Sequence, residues 1–389
     1  MKDVKISDYL WFQEGPGVRN TQYTTSGVKL INVANLVDGN VDLSTSDRYI
    51  SEEEAYGKYN HFLADDGDFV IASSGIKIDY FDKKMGFIKK EHLPLCMNTS
   101  CIRFKVLDTN NLEIKYFMYY LKSNSFKKQL FNQITGSAQL NFGPSHLKKM
   151  TFPLIELKEQ KRIIERLDKT QNIINETKSL LSKYDTLIKS RFIEMFGTLN
   201  NNNYDIVKIG DVCSLIKDGT HQTPNYTDNI ENGFKFLSSK DIMTKKIDWT
   251  NIKYIPGDLH EKLYSTIKPQ RNDILMSKNG VNYGVAAVND TDEIFDIYVS
   301  LALLRPTKLI NPVFFRCVIN SQETKIQFDR SIKGIGVPNL HLSEIKKTKI
   351  ILPPLTLQNK FADFVQQIDK SKFEIANSLK RLYNKGMLS

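Results

Sequence analysis

The sequence predicts an α+β fold: two tandem, similar mixed α/β domains joined by two long antiparallel coiled-coil helices, with a pseudo-twofold internal repeat. Three observations carry that prediction. A series of short motifs occurs twice, in the same order, roughly 200 residues apart. Each copy ends in a heptad-patterned stretch. The motifs lie among short β-rich runs bounded by Gly, Asp and Ser.

The repeat sets the boundaries. Val4-Lys5-Ile6-Ser7-Asp8 returns as Val207-Lys208-Ile209-Gly210-Asp211, and Gly27-Val28-Lys29-Leu30 as Gly233-Phe234-Lys235-Phe236. Gly67-Asp68-Phe69-Val70-Ile71 with Gly75 returns as Asn272-Asp273-Ile274-Leu275-Met276 with Gly280. Gly136 and Asn141-Phe142 return as Gly334 and Asn339-Leu340. Pro153-Leu154 leads into Leu167-Asp168-Lys169 as Pro353-Pro354 leads into Ile368-Asp369-Lys370. The expected division is a first domain over 1–152, a central helix over 153–198, a second domain over 199–350 and a C-terminal helix over 351–389.

In the first domain, Leu30-Ile31-Asn32-Val33 and Phe69-Val70-Ile71-Ala72 read as strands, and Tyr116 to Leu121 as helix. In the central helix, apolar or small residues fall at Leu167, Thr170, Ile174, Thr177, Leu181, Tyr184 and Ile188, alternating three and four steps. Ile173, Leu180 and Leu187 widen that seam, and no Gly or Pro interrupts from Lys158 to Phe196. Asn200 to Asn203 read as a linker. In the second domain, Phe236-Leu237 and Ile274-Leu275-Met276 read as strands and Val313 to Ile319 as the matching helix. The last helix follows Pro353-Pro354 and carries Phe361, Phe364, Ile368, Ile375, Leu379 and Leu382. Each seam could pack on its own domain, but pairing the two helices buries both at once.

Composition bounds the function. The formal charge of +10 and pI of about 9.1 fit a polyanion partner, and fit equally a lysine-rich solvated surface. Cys96, Cys101, Cys213 and Cys317 form no CxxC pair and read as buried free thiols of a reducing compartment. No apolar run reaches the ~18 residues of a membrane span, and the N-terminus lacks a signal-peptide core, so a cytoplasmic protein is expected. There is no P-loop and no dinucleotide fingerprint. The paired prolines of amino-group methyltransferases are missing, although Asn141-Phe142-Gly143-Pro144 has some likeness to their tetrad. His61, His92, His146, His221, His260 and His341 are scattered without metal-ligand spacing. Ser73-Ser74-Gly75 is no nucleophile elbow. Neither a catalytic residue nor a metal site is expected.

Polar loops remain. Lys217-Asp218-Gly219-Thr220-His221-Gln222-Thr223-Pro224 is a turn crowded with donors and acceptors, and Gly17-Val18-Arg19-Asn20-Thr21-Gln22-Tyr23 occupies the corresponding place in the first copy. Arg and Lys suit guanine edges, Asn and Gln suit adenine edges, and Ser and Thr serve either or contact phosphate. Such loops are also commonly just solvated.

The layout resembles the specificity subunit of type I restriction-modification systems, over essentially the whole chain. The resemblance rests on the Lys217–Pro224 loop, Lys235-Phe236-Leu237-Ser238-Ser239-Lys240-Asp241-Ile242, and Arg271-Asn272-Asp273-Ile274-Leu275 with Gly280. Val337-Pro338-Asn339-Leu340-His341-Leu342 and Leu352-Pro353-Pro354-Leu355 complete the second copy. Glu159-Gln160-Lys161-Arg162-Ile163 matches the family's helix start, whereas Asn141-Phe142-Gly143-Pro144 departs from its usual Pro-Asn-Leu.

The resemblance implies two target-recognition domains, each reading half of a split double-stranded DNA target. Antiparallel helices would set the gap and dock two methyltransferase subunits, with restriction subunits joining that core. The chain itself would hold no cofactor. S-adenosylmethionine would sit on the methyltransferase partner, which would methylate adenine N6 after base flipping. The DNA-facing candidates are Arg19, Asn20, Thr21, Gln22, Ser73, Ser74 and Asn141 in the first copy. In the second they are Lys217, Gly219, Thr220, His221, Gln222, Ser277, Lys278, Asn279, Lys333 and Asn339. The helix-pair candidates are Leu167, Ile174, Leu181, Ile188, Phe361, Ile368, Ile375 and Leu382. Two rival readings are a coiled-coil DNA-binding regulator or scaffold, and a stand-alone DNA-processing enzyme with an unrecognised site.

Overall fold

The computed structural model describes residues 2–133, 140–332 and 338–386, with side chains on the last helix as far as Arg381. Gly136, Lys333, Gly334, Val337 and the side chain of Leu382 lie outside the described residues. Contacts divide the chain into two units, Met1–Ile173 and Ile174–Ser389, and the division falls inside the central helix.

The first unit is built on a four-stranded antiparallel sheet in the order Leu10–Glu14, Cys101–Val106, Phe69–Ala72, Met85–Phe87. A three-stranded sheet holds Val28–Ile31 between Leu95–Met97, parallel to it, and Tyr49–Ile50, antiparallel. Lys2–Lys5 pairs with Thr151–Leu154. Helices Ile114–Leu121 and Asn124–Gln133 pack on the larger sheet, with Phe117 5.4 Å from Phe104. The strand expected over Leu30 to Val33 stops at Ile31. The Asn32 side chain accepts the Ala34 N–H and closes a turn over Val33–Asn35, which takes Asn32 and Val33 out of the strand.

The second unit repeats this plan in its large sheet, its three-stranded sheet and its terminal strand pair. Its large sheet runs Cys213–Asp218, Leu301–Pro306, Ile274–Ser277, Ala286–Val288. Its smaller sheet holds Phe234–Leu237 between Lys253–Ile255 and Phe295–Ile297, and Asp205–Lys208 pairs with Lys349–Leu352. Helices Pro312–Ile319 and Gln322–Ser331 follow.

Both faces of the large sheet are covered, which explains why its two inner strands are apolar from Ile274 to Met276 and from Leu301 to Leu304. Side chains alternate between faces with period two. Ile274, Met276, Ala302 and Leu304 enter the core under the helices, with Phe314 and Phe328. Leu275, Leu301 and Leu303 enter a second core with Leu237, Phe295 and Ile297 of the smaller sheet. Asn200 to Asn203 form an ordered turn, not a loose linker. Asn202 donates to the carbonyls of Thr198 and Leu199 and accepts the Tyr204 N–H.

The central helix spans Leu157–Phe196 and the C-terminal helix Leu355–Gly386. One glutamine ties each to its domain. The Gln160 side chain accepts the Glu113 N–H and donates to the carbonyls of Asn111 and Ile155. Gln358 accepts the Asn311 N–H and donates to Leu309 and Pro353. Both glutamines are fully buried, and this shared triad sets the register of the helix copies. Asp168 then falls opposite Gln366, not opposite Asp369 as the motif match has it. The two aspartates serve unlike contacts: Asp168 binds Lys115 and Tyr119, and Asp369 binds Arg316. A heptad pattern resembles itself after a shift of about one turn, so the sequence match slipped there.

Within the second unit the last part of the central helix pairs with the C-terminal helix. Phe361 lies 5.5 Å from both Phe192 and Phe196, and further along Lys372 binds Asp185 at 2.6 Å. Partners descend on one helix as they rise on the other, so the pair is antiparallel. Ile188 packs against this core, Ile174 is buried, and Leu167, Leu181, Ile368 and Ile375 are half-buried. Ile173, Leu180 and Leu187 are 47%, 41% and 45% exposed, so the seam is narrower than the sequence suggests. Each precedes a seam residue by one position, or about 100° around a helix of 3.6 residues per turn. Among the described residues, no helix is long and apolar enough to cross a membrane.

Candidate nucleic-acid interface

At one end of the large sheet, backbone hydrogen bonds tie four chain segments together, and they do so identically in both units. Gly15 N–H donates to the Cys101 carbonyl and Gly219 N–H to Leu301, both at 3.2 Å. Ser73 N–H donates to Ser100 and Lys278 N–H to Ser300, both at 2.9 Å. Phe142 N–H donates to Ser73 at 3.0 Å and Leu340 N–H to Lys278 at 2.7 Å. Only glycine fits the first position. A Cβ on Gly15 would stand 2.4 Å from the Asn98 backbone, and one on Gly219 2.0 Å from the Ile297 carbonyl oxygen.

Sheet register corrects the sequence match of these loops. Gln13 stands opposite Arg103 as Lys217 stands opposite Leu303, so Lys217–Pro224 corresponds to Gln13–Asn20, four residues before Gly17–Tyr23. Glu14 is therefore the counterpart of Asp218, Ser73 of Lys278, and Ser74 of Asn279.

The frame brings most of the second-copy candidates together. Thr220 N–H donates to Ile297, its carbonyl accepts from Val299, and its hydroxyl accepts the Gln222 N–H. Asn279 bridges to Asn339, and both keep a buried side-chain oxygen without a partner. Lys217, His221 and Gln222 are exposed. Lys278 is buried, and its amine sits 2.8 Å from the Asp218 carboxylate, which His221 approaches from outside at 3.3 Å. Ser277 is buried, and its hydroxyl closes the following turn by donating to Asn282 and accepting the Val285 N–H.

In the first copy Arg19, Asn20, Thr21 and Asn141 are exposed, and Asn141 pairs with Ser74 across a short ladder. Ser73 is buried, its hydroxyl 3.5 Å from the Thr99 carbonyl. Gln22 is occupied within its own unit. It donates to Glu54 at 2.6 Å and to Tyr59 at 3.1 Å, and accepts the Arg19 N–H. Arg19–Gln22 thus belong to a turn beyond the frame, not to the frame itself.

Sequence reasoning passed over Glu14 and Asp218. The signal was present in Asp218, which precedes Gly219 in the quoted loop. It is absent for Glu14, which lies ahead of the Gly17–Tyr23 loop. Burial pushes the Glu14 carboxyl above its ordinary range.

Elsewhere, His260 is buried, stacked 3.7 Å from Phe234 and bonded through Nδ1 to Asp296 at 2.7 Å. Burial raises the Asp296 carboxyl. The four cysteines are free thiols, with Cys213 and Cys317 only half-buried. Burial pushes Cys96, Cys101 and Cys213 up to about 12, which makes them poor nucleophiles. Among the described residues no cluster of His, Cys, Asp or Glu could hold a metal ion.

Comparison with known proteins gives a family. The model of the type I restriction modification DNA specificity domain matches residues 18–182 and again 201–382. The chain is similar to the specificity subunit of the type I restriction enzyme MjaVIII of Methanocaldococcus jannaschii, 27% identical over 44% of this chain and 39% of that protein. It is similar to the EcoBI specificity subunit of Escherichia coli, 23% identical over 61% of this chain and 56% of that protein. The chain thus spans about two fifths and just over half the length of these relatives. In fold it is similar to a type I restriction-modification S subunit from M. genitalium, with a TM-score of 0.54 over 98% of this chain and 92% of that one, at 15% identity. A chain from a type I restriction-modification system solved to describe complex assembly gives 0.52 over 98% and 96%, also at 15% identity.

Proposed function

The chain belongs to the type I restriction-modification DNA specificity family, and from that premise we propose that it selects a two-part, asymmetric DNA target for a methyltransferase complex. The observation that supports this best is the pair of identical backbone frames carrying different side chains. Gly15 and Gly219, with the Ser73 and Lys278 amides, hold equivalent segments in place, while Glu14 faces Asp218 and Ser73 faces Lys278 in the correspondence. Two copies of one frame with unlike surfaces suit two unlike half-sites. The exposed Arg19, Asn20, Lys217, His221 and Gln222 supply donors and acceptors for phosphates and base edges.

On this reading the chain performs no chemistry. Two methyltransferase subunits dock on it, each bringing S-adenosylmethionine, and restriction subunits join them in the cytoplasm. The antiparallel helices hold the gap between half-sites. Neither rival reading, a coiled-coil regulator or a stand-alone DNA enzyme, is favoured by the family match.

Domain exchange tests the reading. Replacing residues 199–350 with the matching domain of a relative, in the presence of the methyltransferase, is expected to change one half of the methylated motif and leave the other intact. Methylome sequencing checks it. Changes in both halves, or in neither, would contradict modular reading.

A further inference from the structure

The two frames differ most where they should be alike. Asp218 ends its strand with its carboxylate 2.8 Å from the amine of Lys278, whose side chain is 5% exposed, and His221 adds a second contact. That charge is cancelled inside the protein. Glu14 occupies the same place in the first unit, but a serine, Ser73, stands where Lys278 would be. Among the described residues Glu14 has no ion pair, and residues 134–139 carry no charged side chain. Its carboxyl lies against the chain at Gly143, where an added Cβ would stand 3.3 Å from Oε2, beside the exposed Asn141.

A lone carboxyl on a surface that meets DNA is repelled by every phosphate. Only a hydrogen-bond donor offsets that repulsion, and in the major groove the donors of DNA are the exocyclic amino groups, with cytosine N4 the usual partner of a glutamate or aspartate. We propose that Glu14 selects a cytosine in the first half-site by accepting from its N4 amino group, and that Lys278 withholds Asp218 from the same task in the second. This rests on the DNA-specificity reading above. Burial raises the Glu14 carboxyl, and among the described residues no neighbouring cation opposes that rise.

The test is methylome sequencing of hosts carrying the methyltransferase with Glu14→Gln, Glu14→Ala or Asp218→Asn. Both Glu14 variants are expected to relax a single cytosine position in one half-site, with discrimination there falling about ten-fold or more. The other half-site and the gap stay as they were. Asp218→Asn is expected to lower the extent of methylation without altering any position of the motif. Wild-type stringency at every position in the Glu14 variants overturns the proposal. So does a changed motif in Asp218→Asn, or loss of all methylation by Glu14 variants that melt like the wild type. Should both melt early, Glu14→Asp, with its shorter reach, must relax the same position. A motif that is continuous, or that persists without this chain, sinks the function reading itself, which is a distinct result.

Discussion

Truncating Phe361 to alanine is expected to destabilise the second unit by about 3–5 kcal/mol. Phe361 is fully buried, with rings 5.5 Å from Phe192, 5.5 Å from Phe196 and 6.3 Å from Phe314. These three belong to the central helix and to the helix Pro312–Ile319, so one side chain joins three elements. Its loss leaves a cavity walled by rings on rigid helices, which limits collapse around it. Denaturant unfolding measures the effect. Phe373→Ala on the same helix is the control: Phe373 is 63% exposed, and its truncation should fall within about 0.5 kcal/mol of zero. Equal effects from the two substitutions would show that the helices do not pair through this cluster.

Arg103→Met is expected to cost about 3–5 kcal/mol in the first unit, through the buried charge it leaves behind. The guanidinium is 5% exposed and sits 3.2 Å from the Asp68 carboxylate, itself 2% exposed. It also donates to Gln13 at 2.8 Å and to the carbonyls of His61 and Leu63, and lies over the Trp11 ring at 5.1 Å. Methionine would fill the volume but leave Asp68 with only Lys105, at 3.5 Å, for its charge. The second unit shows the alternative solution. Leu303 stands in the place of Arg103, and Arg305 takes over the matching aspartate, Asp273, at 2.8 Å. Methionine at 103 is therefore compatible with the sheet, and the expected loss comes from the buried Asp68 carboxylate left, among the described residues, with Lys105 as its one cation. A double variant, Arg103→Met with Asp68→Asn, should recover a large part of it. A single variant as stable as the wild type would contradict this account.

The repeat was legible because backbone demands leave marks in sequence. Asp68 and Asp273 return because each closes the turn before a middle strand, accepting the N–H of Asp65 and of Gln270 respectively. The apolar middle strands, the helices near Phe117 and Phe314 and the heptad seams were legible for the same reason: each position faces one fixed environment. The frame of the candidate interface was less so. Its hydrogen bonds run between backbone groups, which any residue supplies, so the Ser73 and Lys278 amides left no common side chain to find. Lys278 looks like a phosphate ligand in sequence, and the carboxylate that neutralises it stands 60 residues earlier in the chain. Gln22 looks like a base reader, and its amide is consumed by Glu54 and Tyr59, both distant in sequence.

On the proposed reading this chain selects a split DNA target for a methyltransferase. Methylome sequencing of a host that carries the chain together with its methyltransferase, against the same host with the chain removed, tests it most directly. The expected result is a motif of two specified parts separated by an unspecified gap, methylated only when the chain is present. A continuous motif, or methylation that continues unchanged in its absence, would show that the chain does not select the target.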